Sequence, residues 1–211
     1  MSNPIAIFIL QAVVISLSGV MAPGGVTAAT FAMGVQRRHA GAWIAVGHGI
    51  VEFPLIVLIV LGAAAVLQTR WFGVTVGLAG GAALLLMGGM TIHGLRRNTQ
   101  QADAVQTSRP LWTGIVLTAC NPYFLVWWAT VGLALATKAI ALGMLAFALF
   151  AIVHWLCDLV WLELLSLASH RGVKLLGPRS QKVVLALCGA TMAGFGVWFL
   201  WDACKAVMGN S

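Results

Sequence analysis

The sequence predicts an all-α integral membrane protein: six transmembrane helices in two inverted three-helix repeats, with the first and fourth helices broken. Three observations carry this prediction. Of 211 residues, 61% are hydrophobic and 8% charged, with mean hydropathy +0.97, whereas soluble domains carry about a quarter charged residues. Six long apolar segments fill the chain. The same helix breaks and the same intramembrane His–carboxylate spacing occur once in each half.

The apolar segments run roughly Ile5–Val35, Gly41–Leu67, Trp71–Leu95, Leu111–Thr137, Ala139–Ala168 and Val183–Val207. Six spans of about 20 residues with short links use nearly the whole length. The chain therefore reads as a single polytopic membrane domain, with repeat one over about 1–95, a loop over 96–110 and repeat two over about 111–211. The start, Met1-Ser2-Asn3-Pro4, has no positive n-region, and the following apolar run is too long for a signal-peptide core, so a retained first helix is expected. The links are tight: Gln68-Thr69-Arg70 between the second and third segments, and little more than Lys138 between the fourth and fifth. The longest, Arg96 to Pro110, is polar and reads as a solvated loop.

The net charge of +7 rests on only 12 Lys and Arg residues, set in short clusters between apolar runs. That is a topology signal rather than a basic face for nucleic acid, which is not an expected partner. The loops after the odd segments carry nine: Arg37, Arg38, Arg96, Arg97, Arg109, Arg171, Lys174, Arg179 and Lys182; the other side holds Arg70, Lys138 and Lys205. The positive-inside rule makes the odd loops cytoplasmic and puts both termini outside.

From Pro4 to Gln36 no charge occurs over 33 residues. As one helix this would be about 50 Å long against a hydrocarbon core of about 30 Å. Ala22-Pro23-Gly24-Gly25 offers a break, because Pro removes a backbone donor and paired Gly weakens the helix on either side. Asn121-Pro122 interrupts the fourth segment in the same way: Asn is a good N-cap and Pro suits the first helical position. Pro54, alone in the second segment, reads as a plain kink.

The second segment contains Gly47-His48-Gly49-Ile50-Val51-Glu52 and the fifth Val153-His154-Trp155-Leu156-Cys157-Asp158. Each places a carboxylate four residues after a His, on one helix face. Three spans per half is odd, so the halves must point in opposite directions, and in such inverted repeats the substrate site lies near the midplane at discontinuous helices. Two such helices facing each other across a pseudo-twofold axis bring His48 level with Asp158 and Glu52 level with His154. The expected result is two stacked His–carboxylate pairs.

Ionisable groups inside a span are costly and mark pathways or partners. His beside a carboxylate can exchange protons near neutral pH, as a proton- or cation-coupled antiporter needs. A half-helix starting at Gly24-Gly25 would aim free N–H groups at a substrate carboxylate, and Glu52 or Asp158 would meet its amine. The candidate substrate residues are thus Pro23, Gly24, Gly25, Asn121 and Pro122, and the candidate coupling residues His48, Glu52, His154 and Asp158. Glu163 is expected to pair with Arg171 or Lys174 near a helix end; His39, His93 and His170 read as end residues. Trp127-Trp128 read equally as pathway lining or interfacial anchors, and the third and sixth segments as packing helices.

These residues resemble those of the LysE/RhtB amino-acid exporters. Ala22-Pro23-Gly24-Gly25 looks like their Pro-Gly-Pro signature, with Gly25 where a second Pro often stands. Thr113-Gly114-Ile115 leading to Thr118-Ala119-Cys120-Asn121-Pro122-Tyr123 resembles their Asn-Pro motif, and Gly47-His48 with Glu52 and His154 with Asp158-Leu159-Val160-Trp161 resemble patterns in a branch of the family. The resemblance spans the chain. It implies a multi-pass transporter of the cytoplasmic (inner) membrane, not an enzyme and without a cofactor, exporting amino acids or related small metabolites on an ion gradient. The expected partners are a small-molecule substrate, the lipid bilayer and a proton or cation; a homo-oligomer is compatible with the sequence.

Two other classes stay open. Two His and two carboxylates can coordinate a divalent cation, so metal-ion efflux is one, with His48, Glu52, His154 and Asp158 as ligands. A transmembrane thiol–disulfide carrier is the other; it needs two thiols, and Cys120 beside the Asn-Pro break has Met21 as its repeat counterpart. Export predicts that Cys120→Ser is nearly harmless.

Overall fold

The computed structural model describes residues 4–22, 24–63, 66, 69–96 and 109–208. Among these the regular structure is entirely helical. Helices α1 (Pro4–Val20) and α2 (Gly25–Gly34) meet at a bend of 79°. Helix α3 (Ala40–Leu58) carries Pro54 inside it and runs into a π-helical turn, Ile59–Ala63. Helix α4 spans Arg70–Arg96. The fourth segment divides into α5 (Pro110–Ala119), α6 (Pro122–Trp127), a π-helical turn at Trp128–Gly132 and α7 (Leu133–Ala141). A final helical run, α8, covers Met144–Met208.

With α1 and α2 taken as one crossing, six apolar spans result; the others are Ala40–Gly62, Arg70–Gly94, Pro122–Ala141, Met144–Gly172 and Leu185–Met208. One boundary differs from the sequence expectation. Lys138 lies within α7, and the turn into the fifth span falls at Leu142-Gly143. Gly143 has φ 111°, a left-handed conformation that ends the helix at no steric cost only for glycine. Lys138 instead reaches Gln11 Oε1 at 3.2 Å.

Although α8 is one helical run, its two limbs are antiparallel. Along its first limb Leu162 packs with Val26 and Met33, and Ser169 Oγ donates to the Phe31 carbonyl at 2.7 Å, so this limb runs parallel to α2. Along its second limb Leu185 and Cys188 pack on Ala32 and Val35, whereas Met192 packs on Ala28 and Ala29. The chain direction therefore reverses between Gly172 and Leu185. The second limb lies against α4 through a seam of small residues: a Cβ on Gly88 would meet the Gly189 carbonyl at 2.7 Å, and one on Gly196 the Gly81 carbonyl at 2.9 Å. Close backbone approach of this kind is how helices associate where lipid supplies no hydrophobic drive.

Burial is the reverse of a soluble bundle. Leu10, Leu61 and Leu86 are each more than 60% exposed, while Ser16, Glu52 and Thr118 are at most 1% exposed. An apolar outside and a polar centre suit lipid as the surrounding medium. The polar centre lies between two apolar layers, one around Phe8, Ile56, Trp128 and Phe150 and the other around Met33, Ile44 and Leu162.

Candidate functional site

Both helix breaks are local consequences of sequence. Helix α5 ends at Ala119, and α6 restarts with Pro122 in its first turn. Asn121 is its N-cap: the backbone N–H groups of Tyr123 and Phe124 donate to Asn121 Oδ1 at 3.1 and 3.4 Å. At the other break Pro23 lies outside the described residues. Gly24 precedes α2 in extended conformation, with no side-chain cap, and Thr27 Oγ1 reaches back across the break to the Ala22 carbonyl at 3.3 Å. A Cβ on Gly25 would run into Leu84, whereas Gly24 faces open space. The close position is thus Gly25, where a side chain would push α2 off α4.

Helix α3 and the first limb of α8 run antiparallel, and this brings His48, Glu52, His154 and Asp158 together. His154 Nε2 lies 3.2 Å from Glu52 Oε1, and His48 Nε2 lies 3.8 Å from Asp158 Oδ2. Within each helix the i,i+4 pairs also meet: His48 Nε2 to Glu52 Oε1 at 3.3 Å and His154 Nε2 to Asp158 Oδ2 at 3.6 Å. Both cross-helix pairings expected from the inverted arrangement are present. The i,i+4 contacts fuse them, so the outcome is one four-membered cluster rather than two separate stacked pairs. All four side chains are buried.

The far nitrogens of the two imidazoles are held alike. His48 Nδ1 lies 2.9 Å from Thr118 Oγ1, and His154 Nδ1 lies 2.7 Å from Ser16 Oγ. Thr118 ends α5 and Ser16 lies in the last turns of α1, so each hydroxyl comes from the half-helix just before a break. Both Nε2 atoms face Glu52 Oε1, and both Nδ1 atoms face a hydroxyl. A hydroxyl can then donate to a neutral Nδ1 or accept from a protonated one without moving any heavy atom. A third donor, Trp128 Nε1, reaches the same Glu52 oxygen at 3.2 Å. Trp128 stands at the start of the π-helical turn, and Gly132 leaves room for its ring, which a Cβ there would strike. The approach of α5 to α3 also depends on glycine: a side chain on Gly47 would collide with the Leu111 carbonyl, and one on Gly114 with the Ile44 carbonyl.

A cavity of about 350 Å³ joins these parts. The break residues Ala22, Gly24, Gly25 and Asn121 line it together with His48, Thr118, His154 and Asp158, while Trp127 and Trp128 wall it between. Taking about 30 Å³ of liquid volume per water, the space equals about a dozen waters, the scale of a small metabolite. Glu52 does not line the cavity. It sits behind the imidazoles and anchors both. Pro122, the first residue of α6, does not line the cavity either.

Several sequence expectations need correction. Phe195, Trp198 and Phe199 line the cavity, so the sixth span supplies an aromatic wall and not packing alone. Trp128 is fully buried and Trp127 nearly so, which rules out interfacial anchoring for this pair. Glu163 pairs with His39 Nδ1 at 2.5 Å and caps α3 by accepting from the Ala42 N–H at 2.9 Å; the Lys174 side chain, one of its expected partners, lies outside the described residues. Ser16 and Trp128 as partners of the cluster were not foreseen; a hydroxyl before each break is the signal that could have found Ser16. Cys120, Cys157, Cys188 and Cys204 are all free.

A family model described as LysE type translocator matches residues 17–203, most of the chain. No curated protein and no solved structure matches.

Proposed function

The chain belongs to the LysE type translocator family, a multi-pass membrane transporter of amino acids or related compounds, and from that premise we propose that it exports a small zwitterionic metabolite across the cytoplasmic membrane, coupled to a proton or cation. The observation that carries this reading is the single cavity in which both helix breaks and the His–carboxylate cluster meet. The first turn of α2 lies at that cavity, and first-turn amides favour a carboxylate. Asp158 opens onto the same space and supplies the opposite charge for an amine. Aromatic faces from Phe124, Trp127 and Trp198 enclose the rest. The cluster is the coupling element, with Glu52 fixing two imidazoles whose hydroxyl partners tolerate either protonation state.

The matching roles of Thr118 with His48 and Ser16 with His154 support an inverted repeat, with repeat one over about 1–95 and repeat two over about 111–211. Arg37, Arg38 and Arg109 cluster at one end of the bundle, while Arg70 donates to the carbonyls of Ala206 and Val207 at the other end. By the excess of basic residues the first end is cytoplasmic, which leaves both termini outside.

Counterflow in proteoliposomes, with a panel of amino acids and with and without a pH gradient, tests the proposal. Accumulation of at least one labelled amino acid against its unlabelled form is expected, with the rate responding to the gradient. Failure of every amino acid and related zwitterion to exchange, in vesicles shown to contain folded protein, overturns it.

A further inference from the structure

We propose that His48, Glu52, His154 and Asp158 form a binding site for one divalent transition-metal cation of the zinc type. Three independent features of the cluster point to it. The first is donor geometry. A tetrahedral ion with bonds of about 2.0–2.1 Å holds its ligand atoms about 3.3–3.5 Å apart. The four N-to-O separations here are 3.2, 3.3, 3.6 and 3.8 Å. The donor atoms of His48, Glu52 and Asp158 all lie within 4.8 Å of one another, and His154 Nε2 lies 3.2 Å from Glu52 Oε1 and 3.6 Å from Asp158 Oδ2. Three ligands are thus already gathered, and movement of the His154 ring toward His48 supplies the fourth.

The second is polar satisfaction. Glu52 Oε2 and Asp158 Oδ2 are buried and accept no hydrogen bond. Buried carboxylate oxygens without donors are costly and mark a missing ligand. Protons shared between the imidazoles and Glu52 Oε1 leave both of these oxygens unsatisfied. A cation bound at Glu52 Oε1, Asp158 Oδ2 and the Nε2 atoms gives Asp158 Oδ2 its missing partner and neutralises two adjacent carboxylates. The third is the outer shell. Metal-bound His is oriented by a partner on its other ring nitrogen, and here Thr118 and Ser16 occupy that position on both rings. Two nitrogen donors favour Zn2+, Co2+ or Ni2+ over Mg2+ and Ca2+, which prefer all-oxygen shells.

The site opens onto the cavity through His48, His154 and Asp158, so an ion can enter by the route a substrate takes. The inference concerns binding and stands apart from the export reading, since it is measured on purified protein with no transport step. Full-length protein in detergent is titrated with Zn2+ and, separately, Mg2+. One Zn2+ per chain is expected for the wild type and for His39→Ala, which changes a surface histidine. Binding at least tenfold weaker is expected for His48→Gln and for His154→Gln, and Mg2+ should not compete. Co2+ serves as a second probe that needs no variant: the intense visible bands of four-coordinate cobalt should appear on binding and vanish on Zn2+ addition. Absence of Zn2+ binding, wild-type affinity in both Gln variants, or a cobalt spectrum of the weak six-coordinate type overturns the proposal.

Discussion

The two hydroxyls behind the imidazoles give the sharpest test of the site. Thr118→Val and Ser16→Ala remove one oxygen each and keep the shape almost unchanged. Each leaves a buried imidazole Nδ1 without its partner at 2.9 or 2.7 Å. Stranding a buried polar atom costs about 1–3 kcal/mol. At about 1.4 kcal/mol per tenfold, the population of the correctly oriented cluster should fall by about 5- to 140-fold. Both hydroxyls act on the same four side chains, so the double variant should lose less than the product of the single losses, by a coupling of about 0.5–3 kcal/mol. Thr75→Val is the control, because Thr75 is exposed on α4 and its hydroxyl bonds only the Trp71 carbonyl of its own helix; its effect should stay within about 0.5 kcal/mol. The assay is the initial rate of counterflow in proteoliposomes, normalised to folded protein. Comparable losses from the two single variants support equivalent roles for the two halves. If Ser16→Ala is as neutral as Thr75→Val while Thr118→Val is severe, the paired-hydroxyl reasoning is wrong.

Three further outcomes follow from geometry alone. Gly114→Val should force α5 away from the Ile44 carbonyl and abolish counterflow, whereas Gly73→Ala, with nothing within 4 Å of a new Cβ, should leave it unchanged in the same assay. Gly143→Ala places a Cβ on a residue with φ 111° and should destabilise the protein by about 1–2 kcal/mol, read as a lower midpoint of thermal unfolding in detergent. Phe199→Ala should widen the cavity on the side of the sixth span and alter the ranking of substrates more than the maximal rate, measured by competition across the panel.

Much of this arrangement is legible in the chain because lipid makes the signals coarse. A carboxylate has no place in a span without a partner, so His48 with Glu52 and His154 with Asp158 stand out, and their i,i+4 spacing fixes the helix face. Asn121-Pro122 is legible for the same reason: capping chemistry is local and needs no tertiary information. What escaped is what depends on contact between distant segments. Ser16 is one of several serines in an apolar run, and only the docking of α1 along the first limb of α8 singles it out. Phe195, Trp198 and Phe199 look like any apolar face until α2 bends by 79° and opens the space they wall. Lys138 looked like a link because charge is the usual punctuation between spans. The actual turn needs only the positive φ of Gly143, and the lysine extends to Gln11 from within the helix.

The position of Glu52 links the breaks to the cluster. Its one oxygen faces three nitrogens, His48 Nε2, His154 Nε2 and Trp128 Nε1, and these come from three different spans. Each imidazole in turn holds a hydroxyl on a half-helix that ends at a break. A change at the cluster, by proton or by cation, is therefore a change in what α1 and α5 are bonded to. Movement of either half-helix pulls on a nitrogen whose other side is tied to Glu52. Coupling between two sites requires an element with two arrangements that both sites bias, and for the export proposed above the half-helices before the two breaks are the elements in the right place. They end where regular backbone bonding stops, so they can shift without breaking a continuous ladder. On the export reading proposed above, a substrate held between the first turn of α2 and Asp158 and a proton or cation at the cluster would act on the same pair of hinges.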